Sequence, residues 1–164
     1  MKKFELTAEF VTNVFGKKLF RIKALVAFGN VKKGELGGFI EKEDNLSHSG
    51  NAWVYDNAQV YDNARVYGDA WVSGDAWVSG NAQVSGDADY AVVTGFGRYF
   101  RATTFFRCKD KIIRVQCGCF YGDLAQFREI VKKTHGVSKY AKEYLAIATL
   151  MEFHFSDENQ EANE

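Results

Sequence analysis

From Gly50 to Ala88 the chain repeats every six residues: alanine stands at 52, 58, 64, 70, 76, 82 and 88, and valine at 54, 60, 66, 72, 78 and 84. No helix has a period of six. Within each hexad the alanine and valine are two apart, which on a strand puts both on one face and turns the residue between them outward. That outward set is Trp53, Gln59, Arg65, Trp71, Trp77 and Gln83. Asparagine or aspartate precedes every alanine, and glycine usually precedes that residue; both types suit the left-handed backbone of a sharp corner. The pattern predicts short strand, corner, short strand.

Either side of the repeat the periodicity changes. The segments FELTAEFVTN and KLFRIKALVAF, with Phe20, Ile22 and Ala24 alternating, predict a small β cap over 1–36. The hexads break at Asp89-Tyr90. Beyond them TTFFRCKDKIIRVQCGCF predicts a hairpin turning at Lys109-Asp110-Lys111, with Ile113, Val115, Cys117 and Cys119 on one face. Asp123 is placed to cap a helix over 124–134 with Leu124, Phe127 and Val131 as its stripe and Gly136 as its stop. A second helix is predicted over 139–153. The resulting divisions are a cap over 1–36, the repeat over 37–90, an α+β module over 91–153 and an acidic flexible tail over 154–164.

Six-residue periodicity marks the parallel β-helix, in which one coil cannot bury its own apolar face and stacking supplies the core. The repeat resembles the hexapeptide β-helices, where three hexads form one triangular left-handed coil. That resemblance implies stacking at a separation of 18: Trp53 with Trp71, Gln59 with Trp77, Arg65 with Gln83. Extending the alanine phase backwards reaches Leu46 and Ile40, so the first coil is expected to begin near Gly37-Gly38-Phe39. The predicted class is mainly β: a left-handed parallel β-helix of about three coils, a small N-terminal β cap, and a C-terminal module of hairpin plus two helices.

Composition adds limits. The 164 residues are 46% apolar and 15% aromatic, enough to bury a core. No apolar run approaches a membrane span, and MKKFELTAEF lacks the apolar core of a leader, so a cytoplasmic protein is expected. Cys108, Cys117 and Cys119 lack framework spacing and read as reduced thiols. A formal charge of zero conceals segments of +6 over 1–34, −8 over 35–90, +7 over 91–150 and −5 over 151–164. An acidic rod lies between basic ends, and the balance argues against generic nucleic-acid binding.

Candidate chemistry is sparse. Hexapeptide acyltransferases use a coil histidine as base on the acceptor nucleophile, yet residues 50–90 contain no histidine. His48 occupies an inward valine phase, where a capping role is expected. Zinc chemistry needs converging imidazoles, whereas His48, His135 and His154 lie in three separate segments. Cys117 and Cys119 with Cys108 and His135 lack zinc-knuckle spacing and read as buried thiols. No catalytic residue, metal or cofactor is assigned. An acyltransferase with its base outside the coil, His48 or His135, is the alternative.

Two segments, RIKALVAFGNVKKGELGGFIEKEDNLSHSGNAWVYDNAQV and TTFFRCKDKIIRVQCGCFYGDLAQFREIVKKTHGVSKYAKEYLAIATL, resemble hexapeptide-repeat accessory proteins of bacteriophages and prophages. The resemblance implies a small, non-enzymatic counter-defence protein acting in the host cytoplasm, which binds a defence protein or sequesters a nucleotide signal. It also implies a homotrimer with parallel axes, and Trp53, Trp71, Trp77, Tyr55 and Tyr61 are the expected interface. From the residues themselves, Arg98, Tyr99, Phe100, Arg101, Arg107, Lys109, Lys111 and Arg114 combine cations with rings in the manner of phosphate pairing and base stacking. They are the candidate ligand site. A solvated cationic face on a hairpin packed by Phe105 and Phe106 explains the same residues.

Overall fold

The computed structural model describes residues 2–86 and 89–156. The last alanine of the repeat, Ala88, and the part of the expected tail beyond 156 lie outside the described residues. The chain is mainly β, with two helices at its C-terminal end. Three strands, β1 (Phe4–Thr12), β2 (Lys18–Ala24) and β3 (Leu36–Ile40), form an antiparallel sheet. Two-residue strands follow at intervals of six: β4 (Trp53–Val54), β5 (Gln59–Val60), β6 (Arg65–Val66), β7 (Trp71–Val72), β8 (Trp77–Val78) and β9 (Gln83–Val84).

Parallel pairing at a separation of 18 joins these strands into a β-solenoid. Trp53 pairs with Trp71, Gln59 with Trp77 and Arg65 with Gln83. Upstream, Ile40 pairs with Val60 and Leu46 bridges to Val66, so the stack does begin beside Gly37-Gly38. A Cβ on Gly38 would lie 2.7 Å from the Ala58 carbonyl oxygen, which explains a bare backbone there. The alanines and valines from Ala52 to Val84 are buried, and Ile40 and Leu46 extend their column. Two methyl-bearing columns per face supply the core that no single turn of chain has.

Of the two corner residues that suit a left-handed backbone, the first one adopts it. Positive φ occurs at Gly50, Asp56, Asp62, Gly68, Gly74 and Gly80, two before each alanine. The Asn or Asp next to the alanine is not the left-handed residue. Asp56 and Asp62, themselves left-handed, also use their carboxylates: Gly74 N–H donates to Asp56 Oδ2 and Gly80 N–H to Asp62 Oδ2, each at 3.1 Å and 18 residues away.

The N-terminal sheet corrects the expected interface. Trp53 is 0% exposed, with Phe28 edge-on at 5.3 Å and Phe4 at 6.4 Å, and Tyr61 is buried beside Leu19 and Phe39. The reason is topological: β4 pairs only with β7, so Trp53 is covered by Phe4 and Phe28 of the chain's own cap, while Tyr61 follows β5, which pairs with β3, and meets Leu19 and Phe39 of β2 and β3. Neither Trp53 nor Tyr61 is available to a second subunit. Tyr55 and Trp77 are half-buried, and Trp71 is 40% exposed against the Tyr55 ring. The cap strand itself is irregular, with a register shift between Arg21 and Lys23, so Leu19, Ile22 and Ala24 are buried where Phe20, Ile22 and Ala24 were expected.

Past the solenoid, β10 (Tyr90–Val93), β11 (Thr103–Arg107), β12 (Ile113–Cys117) and β13 (Phe120–Asp123) form an antiparallel sheet in chain order. One face, with Phe106 and Cys108, joins the solenoid core; the other, with Phe105 and Val115, packs on the helices. Hydrogen bonds weld the junction: Trp77 N–H donates to Thr104 Oγ1 at 2.9 Å, Ser79 Oγ to Gln116 Oε1 at 3.0 Å, and Lys109 N–H to the Asn81 carbonyl at 2.9 Å. Cys119 does not share the strand face of Cys117; it occupies the β12–β13 turn after Gly118, and is exposed.

Helix α1 (Leu124–His135) is capped by Asp123, whose carboxylate accepts from the Gln126 amide at 2.8 Å, and ends at Gly136 with φ 59°. Helix α2 (Lys139–His154) starts at Ser138, whose hydroxyl accepts from Ala141 N–H. Phe155 is buried against the helical core, so the packed chain runs past the point where the tail was expected to start. Among the described residues no helix is long and apolar enough to cross a membrane.

Candidate functional site

The C-terminal module contains a cavity of about 220 Å³ between α1, the β12–β13 turn and the loop that joins β10 to β11. Its inner wall is apolar, with Phe120, Phe127, Val131 and the buried Tyr144 from α2, and the exposed Ile130 also lines it. Phe127 meets Tyr144 at 5.8 Å and Phe105 at 6.0 Å, both with ring planes at 85°, the edge-to-face packing that fixes aromatic orientation. The mouth is polar, formed by Arg98, Tyr99 and Arg101 on one side and Cys117, Cys119, Thr134 and His135 on the other. Among the described residues no acidic side chain lines it.

Two glycines let the walls approach. Gly97 has φ 76°, and a Cβ there would collide with Tyr144 Oη; Gly118 has φ 56°, and a Cβ there would collide with Arg101 Nη1. Tyr144 Oη donates to the Phe96 carbonyl at 3.5 Å, a long bond, and burial pushes its pKa up to about 12, with Cys117 adding to the rise. The hydroxyl is therefore a neutral donor throughout the physiological range. Arg98 and Arg101 lie 5.8 and 5.3 Å from the Tyr99 ring centroid, and both are exposed.

The expected ligand cluster is divided by the hairpin. Arg98, Tyr99 and Arg101 reach the cavity. Phe100 shares their loop, at φ 55° and 68% exposed, without lining it. Arg107 pairs with Asp89 at 3.2 Å and lies over Phe155. Lys109 and Lys111 occupy the turn at the other end of β11, one five-residue strand or roughly 17 Å from Arg101. Arg114 pairs with Asp110 at 2.9 Å, which raises the guanidinium pKa and lowers that of the carboxyl. Thr134, His135 and Tyr144 belong to the site without having been anticipated there. Thr134 and Tyr144 had only helical spacing as a sequence signal, which also serves ordinary packing, and His135 was singled out as an alternative base and not as part of the ligand site.

His48 is placed elsewhere, at the start of the solenoid. Its Nδ1 accepts from the Lys3 backbone N–H at 3.0 Å, its Nε2 faces Glu43 Oε1 at 3.0 Å, and its ring stacks on Phe4 at 4.2 Å. A backbone amide only donates, so Nδ1 is unprotonated and the ring proton rests on Nε2, directed at Glu43. With both nitrogens engaged, His48 ties the cap to the first turn and has no lone pair for a substrate proton. The contact with His48, then Lys2, holds the Glu43 carboxyl below its ordinary range. His135 is half-buried, stacked on Tyr144 at 5.8 Å. Among the described residues no His, Cys, Asp and Glu side chains converge in a group of three or more that would hold a metal.

The family model described as the YdcK beta solenoid repeat matches residues 58–74. That segment lies wholly within the solenoid, from the turn before β5 to the turn after β7, and includes no residue of the cavity. None of the curated proteins compared matches the chain.

Proposed function

We propose that this chain is a non-enzymatic binding protein in which a left-handed solenoid of about three hexapeptide-repeat coils presents the C-terminal cavity for a nucleotide-type ligand. The observation that carries the reading is the composition of that cavity, an aromatic interior with two arginines and, among the described residues, no acid at its mouth. Aromatic walls suit a base, and guanidinium groups suit a phosphate. In this reading the protein is a phage accessory factor in the host cytoplasm, a homotrimer that opposes a defence system by sequestering its nucleotide signal. Direct inhibition of a defence protein is the other route the same resemblance implies.

The acyltransferase alternative now rests on His135 alone, because both nitrogens of His48 are engaged. A base in that alternative would face the cavity with no carboxylate among the described lining residues to orient it. The binding reading predicts that Arg98→Glu with Arg101→Glu, two exposed positions, weakens nucleotide retention on the order of 100-fold or more and abolishes phage protection, with the melting temperature unchanged. Native mass spectrometry and a plaque assay on defended cells read both. Full protection by the double variant would overturn the proposal, and transfer of an acyl group from coenzyme A that His135→Ala abolishes would favour the enzyme.

A further inference from the structure

We infer that the cavity admits one planar ring, inserted ring first, with a single phosphate held at the mouth by Arg98 and Arg101: the ligand class is the nucleoside monophosphate. The inference rests on the nucleotide reading above and narrows it.

Three observations set the size, direction and charge. A volume of about 220 Å³ falls below the roughly 300–1,000 Å³ of sites that enclose drug-sized ligands, which favours one buried ring over two. Polarity runs one way: Phe120, Phe127 and Val131 are inside, while both guanidinium groups are exposed at the rim. An anion driven inward would lose its hydration with no cation to meet it, whereas a ring driven inward displaces water from apolar walls. The two arginines carry a charge of +2 and match the −1.5 to −2 of one phosphate monoester.

One further group gives the ring something to read. Tyr144 Oη lies against Gly97, beside Cys117 and the arginine-bearing loop, and its bond to the Phe96 carbonyl is long at 3.5 Å. Turning that hydroxyl to a ring nitrogen or carbonyl of the ligand exchanges a weak bond for a normal one. A nucleoside offers such acceptors; a hydrocarbon ring does not.

The test uses the full-length chain with the four ribonucleoside 5′-monophosphates, adenosine, inorganic phosphate and the dinucleotide pApA. Titration calorimetry gives affinity and stoichiometry. Alkylation by N-ethylmaleimide, read by mass spectrometry, reports occupancy through Cys117 and Cys119, with buried Cys108 as internal reference. The expected result is at least one monophosphate binding one per chain and shielding Cys117. AMP, if it is the one bound, should exceed adenosine and phosphate at least tenfold, and Thr134→Trp, on the exposed rim of α1, should abolish binding without lowering the melting temperature. Binding of pApA tenfold tighter than any monophosphate would overturn the single-ring inference and leave the nucleotide reading standing. Phosphate binding as tightly as the monophosphates would overturn ring insertion. Silence from every probe would remove both.

Discussion

At the scale of single residues the solenoid corners show how composition conceals phase. Glycine, asparagine and aspartate all tolerate positive φ, and two of them stand side by side in every corner, so their presence marks a corner without saying which one turns. The structure assigns the turn to Gly50, Asp56, Asp62, Gly68, Gly74 and Gly80. It also gives Asp56 and Asp62 a task, since their carboxylates receive amides of the next turn; part of the acidity of the rod is structural. The stacking distinguishes glycines of identical φ. A Cβ at Gly74 meets nothing within 4 Å, whereas one at Gly50 lies 2.5 Å from the Gly68 carbonyl oxygen, a backbone atom that cannot swing aside. Gly74→Ala should therefore cost only backbone strain, about 1 kcal/mol, and Gly50→Ala at least about 1 kcal/mol more. Urea unfolding of the two variants measures the difference, and equal costs would refute close stacking at that corner.

At the scale of elements, the strands of the repeat, the β11–β12 hairpin, both helices and the Asp123 cap were readable because hydrophobic period and capping residues are local; β10 and β13, which widen the hairpin to four strands, and the Ser138 cap were not anticipated. The cap over Trp53 was not readable, because it is made by Phe4 and Phe28, residues that no spacing rule relates to the repeat. Likewise only Arg98, Tyr99 and Arg101 of the cavity could be read; Phe127, Thr134 and Tyr144 join them only when α1 and α2 fold back on the sheet. The attachment of β1 has a measurable signature. Lys3 is 3% exposed, its ammonium donates to the Ala52 carbonyl at 2.7 Å and lies 4.5 Å from the Phe28 ring centroid, and burial pulls its pKa down to about 8. Between pH 8 and the unfolded value near 10.5 the unfolded chain holds a proton that the folded one has released, so stability rises with pH in that window. Tyr61, Tyr121 and Tyr144, each pushed up to about 12 by burial, act oppositely above pH 10, where the unfolded phenols ionise first. Subtracting Lys3→Met from the parent cancels the tyrosines. That difference should move in favour of the parent, on the order of 1 kcal/mol after allowing for solvent that reaches the ammonium, as pH rises from 8 to 10.5. A flat difference in chemical denaturation would mean that Lys3 is solvated.

At the scale of the molecule, the two ends of the solenoid are closed by different means, and that decides where a second chain can attach. The N-terminal sheet covers the first turn and the β10–β13 sheet closes the last, which leaves the flanks. Of the five aromatics expected at a subunit interface, Trp53 and Tyr61 are consumed by the cap, while Trp71 presents its 40% exposed ring beside Tyr55 on the β4–β7 flank. For the proposed trimer that leaves Tyr55, Trp71 and the half-buried Trp77 of the β5–β8 pair, with Trp71 the exposed one of the three. The proposal predicts a light-scattering mass near three times 18.5 kDa at micromolar concentration. Trp71→Glu should reduce it to the single-chain mass with the circular dichroism unchanged, because the charge meets solvent in the monomer and an apolar ring in the trimer. Trp53→Ala should behave differently, losing about 3–5 kcal/mol of stability, since it empties a site that is closed within one chain. A parent protein that runs as a monomer would end the trimer proposal while leaving the cavity, which every chain builds alone, open to its own test.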